Sequence, residues 1–139
     1  MENHVNILVV EDSPVQALKL KNDLKKNSYH VTVTGSGEEA LTYLYNNKPN
    51  VIISDIVMPG IDGYQLCRQI KSDEILKNIP VILLTQLSDP KDVIRGLKCG
   101  ADNFLTKPYN ESFLISRIKS VLNNRMNKGN GNASYIAAS

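Results

Sequence analysis

Five short runs of β-branched and other apolar residues recur along this chain, each followed by a polar break and then an amphipathic stretch. Residues 5–10 (Val-Asn-Ile-Leu-Val-Val), 51–54 (Val-Ile-Ile-Ser) and 81–85 (Val-Ile-Leu-Leu-Thr) are near-continuous in apolar character. Runs this short and this apolar, bounded by turn signals, read as strands covered on both faces. Residues 30–34 (His-Val-Thr-Val-Thr) alternate and are more polar, which places that strand nearer an edge. Residues 102–106 form a short fifth strand. Strands that alternate with helices run parallel and are joined by right-handed crossovers. The chain is therefore predicted to be an α/β protein, a doubly wound five-stranded parallel sheet flanked by five helices.

The breaks carry helix signals. Ser13-Pro14 supplies an N-cap and a first-turn proline, and Ala17, Leu20 and Leu24 keep one face apolar to about Asn27. Gly35-Ser36-Gly37 ends the second strand ahead of a helix with Ala40, Leu41 and Leu44 inward. Pro59-Gly60 marks a turn within the loop 55–61, after which Asp62 can cap a third helix carrying Leu66, Cys67 and Ile70. Asp89-Pro90 opens a fourth with Val93, Ile94 and Leu97, and Gly100 suits a left-handed cap at its end. The last helix starts near Asn110 with Leu114, Ile118, Val121 and Leu122 at helical spacing. Beyond Arg125 the sequence turns polar and glycine-rich, so residues 1–126 are expected to form the folded domain and 127–139 a flexible tail or the start of a linker.

A chain of 139 residues suits one core, and its net charge of +2 is too small to argue for nucleic acid or an anionic membrane. Lys19, Lys21, Lys25 and Lys26 surround a helix that also carries Asp23, and read as a solvated face, with protein docking as the second reading. Asp89, Lys91, Asp92 and Arg95 read in the same way on the fourth helix. Cys67 and Cys99 lack metal or redox spacing and read as buried thiols in a reducing cytosol. His4 and His30 read as surface residues. No stretch reaches membrane-spanning length, and a cytoplasmic protein is expected.

The polar residues at the strand ends matter most. Glu11 and Asp12 follow the first run, Asp55 the third, Thr85 ends the fourth and Lys107 follows the fifth. In an open doubly wound sheet the binding crevice lies at the carboxyl ends of the strands, so these five groups converge. Three carboxylates that close repel one another unless a cation sits among them. A hard divalent ion with oxygen ligands answers that need, and a lysine opposite it suggests that an anion joins them.

Val9-Val10-Glu11-Asp12-Ser13, the stretch Ile53-Ser54-Asp55-Ile56-Val57-Met58-Pro59-Gly60-Ile61-Asp62-Gly63, Leu83-Leu84-Thr85, Gly100-Ala101-Asp102 and Leu105-Thr106-Lys107-Pro108 together carry a resemblance. Over residues 6–124 the chain resembles the receiver domain of two-component response regulators, including the chemotaxis regulators of flagellar motors. The resemblance implies a flavodoxin-like sheet of strand order 2-1-3-4-5. It implies that Asp55 is the phospho-acceptor for a histidine kinase or phosphotransfer protein. Glu11, Asp12 and Asp55 would hold Mg²⁺ with the main-chain carbonyl of Val57, and Lys107 would pair with a phosphoryl oxygen. Thr85 and Phe104 would be the switch pair, reshaping a face of helix 4, strand 5 and helix 5 that meets a downstream protein. A cis peptide at Lys107-Pro108 is implied as well.

Pro14, Val15, Pro108 and Tyr109 flank the crevice and serve either kinase docking or ordinary packing. Val57 and Leu87, two residues after Asp55 and Thr85, are apolar and cannot orient an attacking water, which predicts slow self-dephosphorylation. No effector domain follows the fold, and no direct contact with nucleic acid or membrane is expected. The ending suggests a receiver cut from a hybrid kinase or multidomain regulator, with a single-domain regulator as the other reading. Two rival functions remain. An aspartyl-phosphate-forming phosphatase or transferase would place a second Asp where Val57 stands. A non-phosphorylated receiver-like scaffold would be expected to lose one of the five groups, and none is lost.

Overall fold

The computed structural model describes residues 4–86 and 90–130. Leu87 and Asp89, singled out above, lie outside the described residues, as do the Val93 side chain and residues 131–139 of the tail. Strands β1 (Asn6–Val10), β2 (His30–Thr34), β3 (Val51–Asp55), β4 (Val81–Thr85) and β5 (Asn103–Thr106) alternate with helices α1 (Pro14–Lys26), α2 (Gly37–Asn46), α3 (Gly63–Ser72), α4 (Pro90–Lys98) and α5 (Glu111–Asn130). The strands form one parallel sheet in the order β2-β1-β3-β4-β5.

The strand pleat divides the core in two. Ile7, Val9, Val51, Ile53, Ile82 and Leu84 point to one face, where Leu20 and Leu24 of α1 and Leu114, Ile118 and Val121 of α5 close over them. Leu8, Val10, Ile52, Val81 and Leu83 point to the other, under Ala40 and Leu44 of α2 and Leu66, Cys67 and Ile70 of α3. Apolar burial on both faces explains why the central strands read as continuous apolar runs. Both cysteines are free and buried, and burial pushes the Cys67 thiol well above the usual range.

The helix starts follow the predicted caps. The Ser13 Oγ accepts from the Gln16 amide at 3.3 Å. Asp62 and Gln65 form a reciprocal capping box at α3. Asn110 Oδ1 accepts from the Ser112 amide at 2.8 Å, starting α5 one residue later than the pattern suggested. Gly100 takes φ +93°, the left-handed conformation expected after α4.

Three readings change. The helix α5 continues to Asn130, four residues into the stretch that composition assigned to an irregular tail. An established helix extends by one hydrogen bond per residue without a new nucleus, so weak formers are carried along. The lysines of α1 are also more than a solvated face. Asp23 is buried, pairs with Lys19 at 2.8 Å and lies 3.5 Å from the Tyr109 hydroxyl, while Lys26 reaches Glu111 at 2.9 Å. These contacts tie α1 to the start of α5. The third change is on α4, where the Tyr64 hydroxyl donates to the Asp92 carbonyl and the Arg95 guanidinium lies over the Tyr64 ring, tying α4 to α3.

Candidate functional site

The register brings the predicted residues to one rim. Val10 pairs with Ser54, Asp55 with Leu84, and Thr85 with Thr106. Glu11, one residue past β1, therefore stands level with Asp55, and Lys107, one residue past β5, stands one step beyond Thr85. Backbone bonds continue the ladder past the strand ends, with the Glu11 amide donating to Thr34 and the Lys107 amide to Thr85. The site thus rests on rigid main chain.

Carboxylate oxygens of Glu11, Asp12 and Asp55 all lie within 4.8 Å of one another. This all-oxygen donor set fits a hard divalent cation such as Mg²⁺. Glu11 is only 4% exposed, whereas Asp12 is exposed and Asp55 half-buried. Burial pushes the Glu11 carboxyl above its ordinary range and the Asp55 charge adds to this, against the Ser13 amide and Lys107, which lower it. The Ser13 amide donates to Glu11 Oε2 at 3.2 Å.

The Lys107 ammonium reaches this cluster from the far side of the sheet, 3.1 Å from Asp55 Oδ1 and 3.2 Å from Glu11 Oε1. Its peptide bond to Pro108 is cis. Thr85 is buried at the end of β4. Phe104 pairs in register with Leu83, so the two-residue period places Phe104 and Thr85 on the same face of the sheet. Val57, two residues after Asp55, is 66% exposed. A carboxylate cluster with an ammonium held against it around one crevice is an arrangement that suits transfer of an anionic group to a carboxylate.

Several further residues support the site. Gly63 lets the first turn of α3 lie against the Asp55–Ile56 backbone, where a Cβ would come within 2.8 Å of Ile56 Cα. Glu38 of α2 accepts from the Ile61 amide at 3.1 Å and holds the loop that carries Val57. Gln16 accepts from Lys107 at 2.6 Å. Only Gly63 had a sequence signal, as a glycine directly after a capping Asp.

Residues 7–119 match the model of the family described as response regulator receiver domain. The chain is 38% identical over 128 residues to the probable transcriptional regulator ycf27 of Guillardia theta, covering 92% of this chain and 49% of that protein. It is 38% identical over 116 residues to Protein PilH of Pseudomonas aeruginosa, covering 84% of this chain and 96% of that protein. Among solved structures, the signal receiver domain of a signal transduction histidine kinase from Syntrophus aciditrophicus superposes with a TM-score of 0.82 at 49% identity. That match covers 86% of this chain and 91% of the other. The chain thus spans about half the length of the ycf27 regulator and nearly all of PilH.

Proposed function

The chain belongs to the response regulator receiver domain family of two-component signalling, and on that premise we propose that Asp55 is its phospho-acceptor. An Asp55 carboxylate oxygen forms a bond to phosphorus while the P–N bond of a partner's phosphohistidine breaks, the imidazole nitrogen keeping the electron pair. The partner is a histidine kinase or phosphotransfer protein. Lys107 pairs with a phosphoryl oxygen as a point charge. Glu11, Asp12, Asp55 and the Val57 carbonyl are the residues that would hold Mg²⁺, which supplies charge to screen the nucleophile from the incoming phosphoryl oxygens. Thr85 donates a hydrogen bond to the new phosphoryl group and Phe104 re-seats, which reshapes the face of α4, β5 and α5. Exposed Ile94 and Leu97 on α4 and Phe113 on α5 give that face apolar contacts for a downstream protein.

The observation that carries this reading is the Lys107 ammonium at 3.1 Å from Asp55 Oδ1, with the acidic trio beside it. An aspartyl-phosphate-forming enzyme is less well supported, because apolar Val57 offers no acid two residues after the nucleophile. The domain therefore acts as a switch that catalyses its own phosphorylation and loses the phosphoryl group slowly. We place the receiver in a fold that extends to the end of α5 at Asn130, as a component of a hybrid kinase or multidomain regulator in the cytoplasm. Among the described residues no helix is long and apolar enough to cross a membrane.

The test is incubation with Mg²⁺ and a small phosphodonor, read by intact mass for the wild type and Asp55→Asn. A phosphoryl adduct is expected on the wild type alone. No adduct on the wild type, or an equal one on the variant, would overturn the assignment.

A further inference from the structure

We propose that Gln16 is a positioning residue that holds the Lys107 ammonium over the crevice, an inference that rests on the phosphoryl-transfer chemistry above. A lysine ammonium has three N–H bonds. Lys107 has three acceptors around it: Gln16 Oε1 at 2.6 Å, Asp55 Oδ1 at 3.1 Å and Glu11 Oε1 at 3.2 Å. Two of these are carboxylates with other duties, Asp55 as nucleophile and Glu11 toward the cation. The third and shortest contact comes from a group with no other role at the site.

The amide carbonyl of Gln16 is neutral. It orders the ammonium without cancelling the charge that a phosphoryl oxygen needs, which a carboxylate in the same place would do. Its own main chain is fixed, because the Gln16 amide donates to the Ser13 N-cap. Beside it, a cavity of about 230 Å³ opens between α1 and the segment after β5, with Leu20, Leu84, Pro108 and Tyr109 among its walls. The flexible four-carbon stem of Lys107 has room to swing into that space once the Gln16 contact is removed. Gln16 therefore keeps the lysine aimed at the phosphoryl position while Asp55 and Glu11 change partners.

Gln16→Met keeps length and removes the acceptor at an exposed position, so the fold should persist. Two affinities are measured on wild type and variant: Mg²⁺ alone by calorimetry, and the phosphoryl mimic fluoroberyllate with Mg²⁺ by ¹⁹F NMR. The variant is expected to bind fluoroberyllate about tenfold more weakly, the scale of one hydrogen bond to a charged group, with Mg²⁺ affinity undiminished. Unchanged or tighter fluoroberyllate binding, or a parallel loss of both ligands, overturns the role of Gln16. A wild type that binds no fluoroberyllate overturns the receiver chemistry itself, and Gln16's role with it.

Discussion

The Phe104 ring rests directly on α4 at Gly96, and the glycine is what makes room for it. A Cβ built on Gly96 would stand 2.5 Å from Phe104 Cε1 and closer still to Cζ. Carbon atoms pack at about 3.5–4.0 Å, so the tip of the ring would have to retreat by about 2 Å. Gly96→Ala therefore sets two terms against each other. Alanine favours the helix over glycine by about 1 kcal/mol. Crowding a packed site costs about 1–3 kcal/mol. The net expectation is a loss of roughly 0–2 kcal/mol.

A double-mutant cycle separates the two terms, with urea unfolding measured for Gly96→Ala, Phe104→Ala and the pair. Without the ring, Gly96→Ala should stabilise by about 1 kcal/mol, the propensity term alone. The coupling energy should then be about 1–3 kcal/mol, the crowding term. The chain holds two phenylalanines, Phe104 and Phe113, so selective ring labelling gives a spectrum simple enough to follow the displaced ring directly. Additive effects with an unmoved Phe104 resonance would refute the reasoning. Because Phe104 is the proposed switch aromatic, a ring expelled from this seat should also alter binding at the α4–β5–α5 face before any phosphorylation.

Glu11→Gln should raise stability in the absence of divalent ions, because the buried carboxyl has a raised pKa and its ionised form is unfavourable at neutral pH. Such a group favours the fold when protonated, and that contribution disappears as pH rises through the raised value. The same substitution should erase the gain that Mg²⁺ gives the wild type, about 2.7 kcal/mol at roughly a hundred times its Kd; thermal unfolding with and without Mg²⁺ checks both. Glu111→Gln has the opposite sign. Hydrogen bonds from Lys26 and Asn27 hold the Glu111 carboxyl below its ordinary value. Its stabilising effect is present above that ordinary value and lost as pH falls through the lowered one. Urea midpoints between neutral and acid pH should therefore drop less in the variant than in the wild type, and equal slopes would contradict the linkage.

The rim of the sheet was legible because parallel topology turns sequence position into spatial position. Once residues 5–10, 51–54 and 81–85 read as parallel strands, Glu11, Asp55 and Thr85 had to share an edge, whatever the detailed packing. Contacts between flanking elements carry no such rule. Gln16 meets Lys107, and Asp23 meets Tyr109, only because of how α1 is rotated over β1 and β2 toward the segment after β5, which a single periodic pattern does not specify. Gly96 makes the same point more sharply. Inside a helix it reads as a defect costing about 1 kcal/mol, and it gains a reason only when Phe104, eight positions along and on another element, is set against it. Residues proposed to perform the chemistry stand at strand ends, where a sequence shows them. Residues that tune it stand on the covering helices, so differences in strength and lifetime between related receivers should be sought at positions such as Gln16 and Gly96 before the acidic trio.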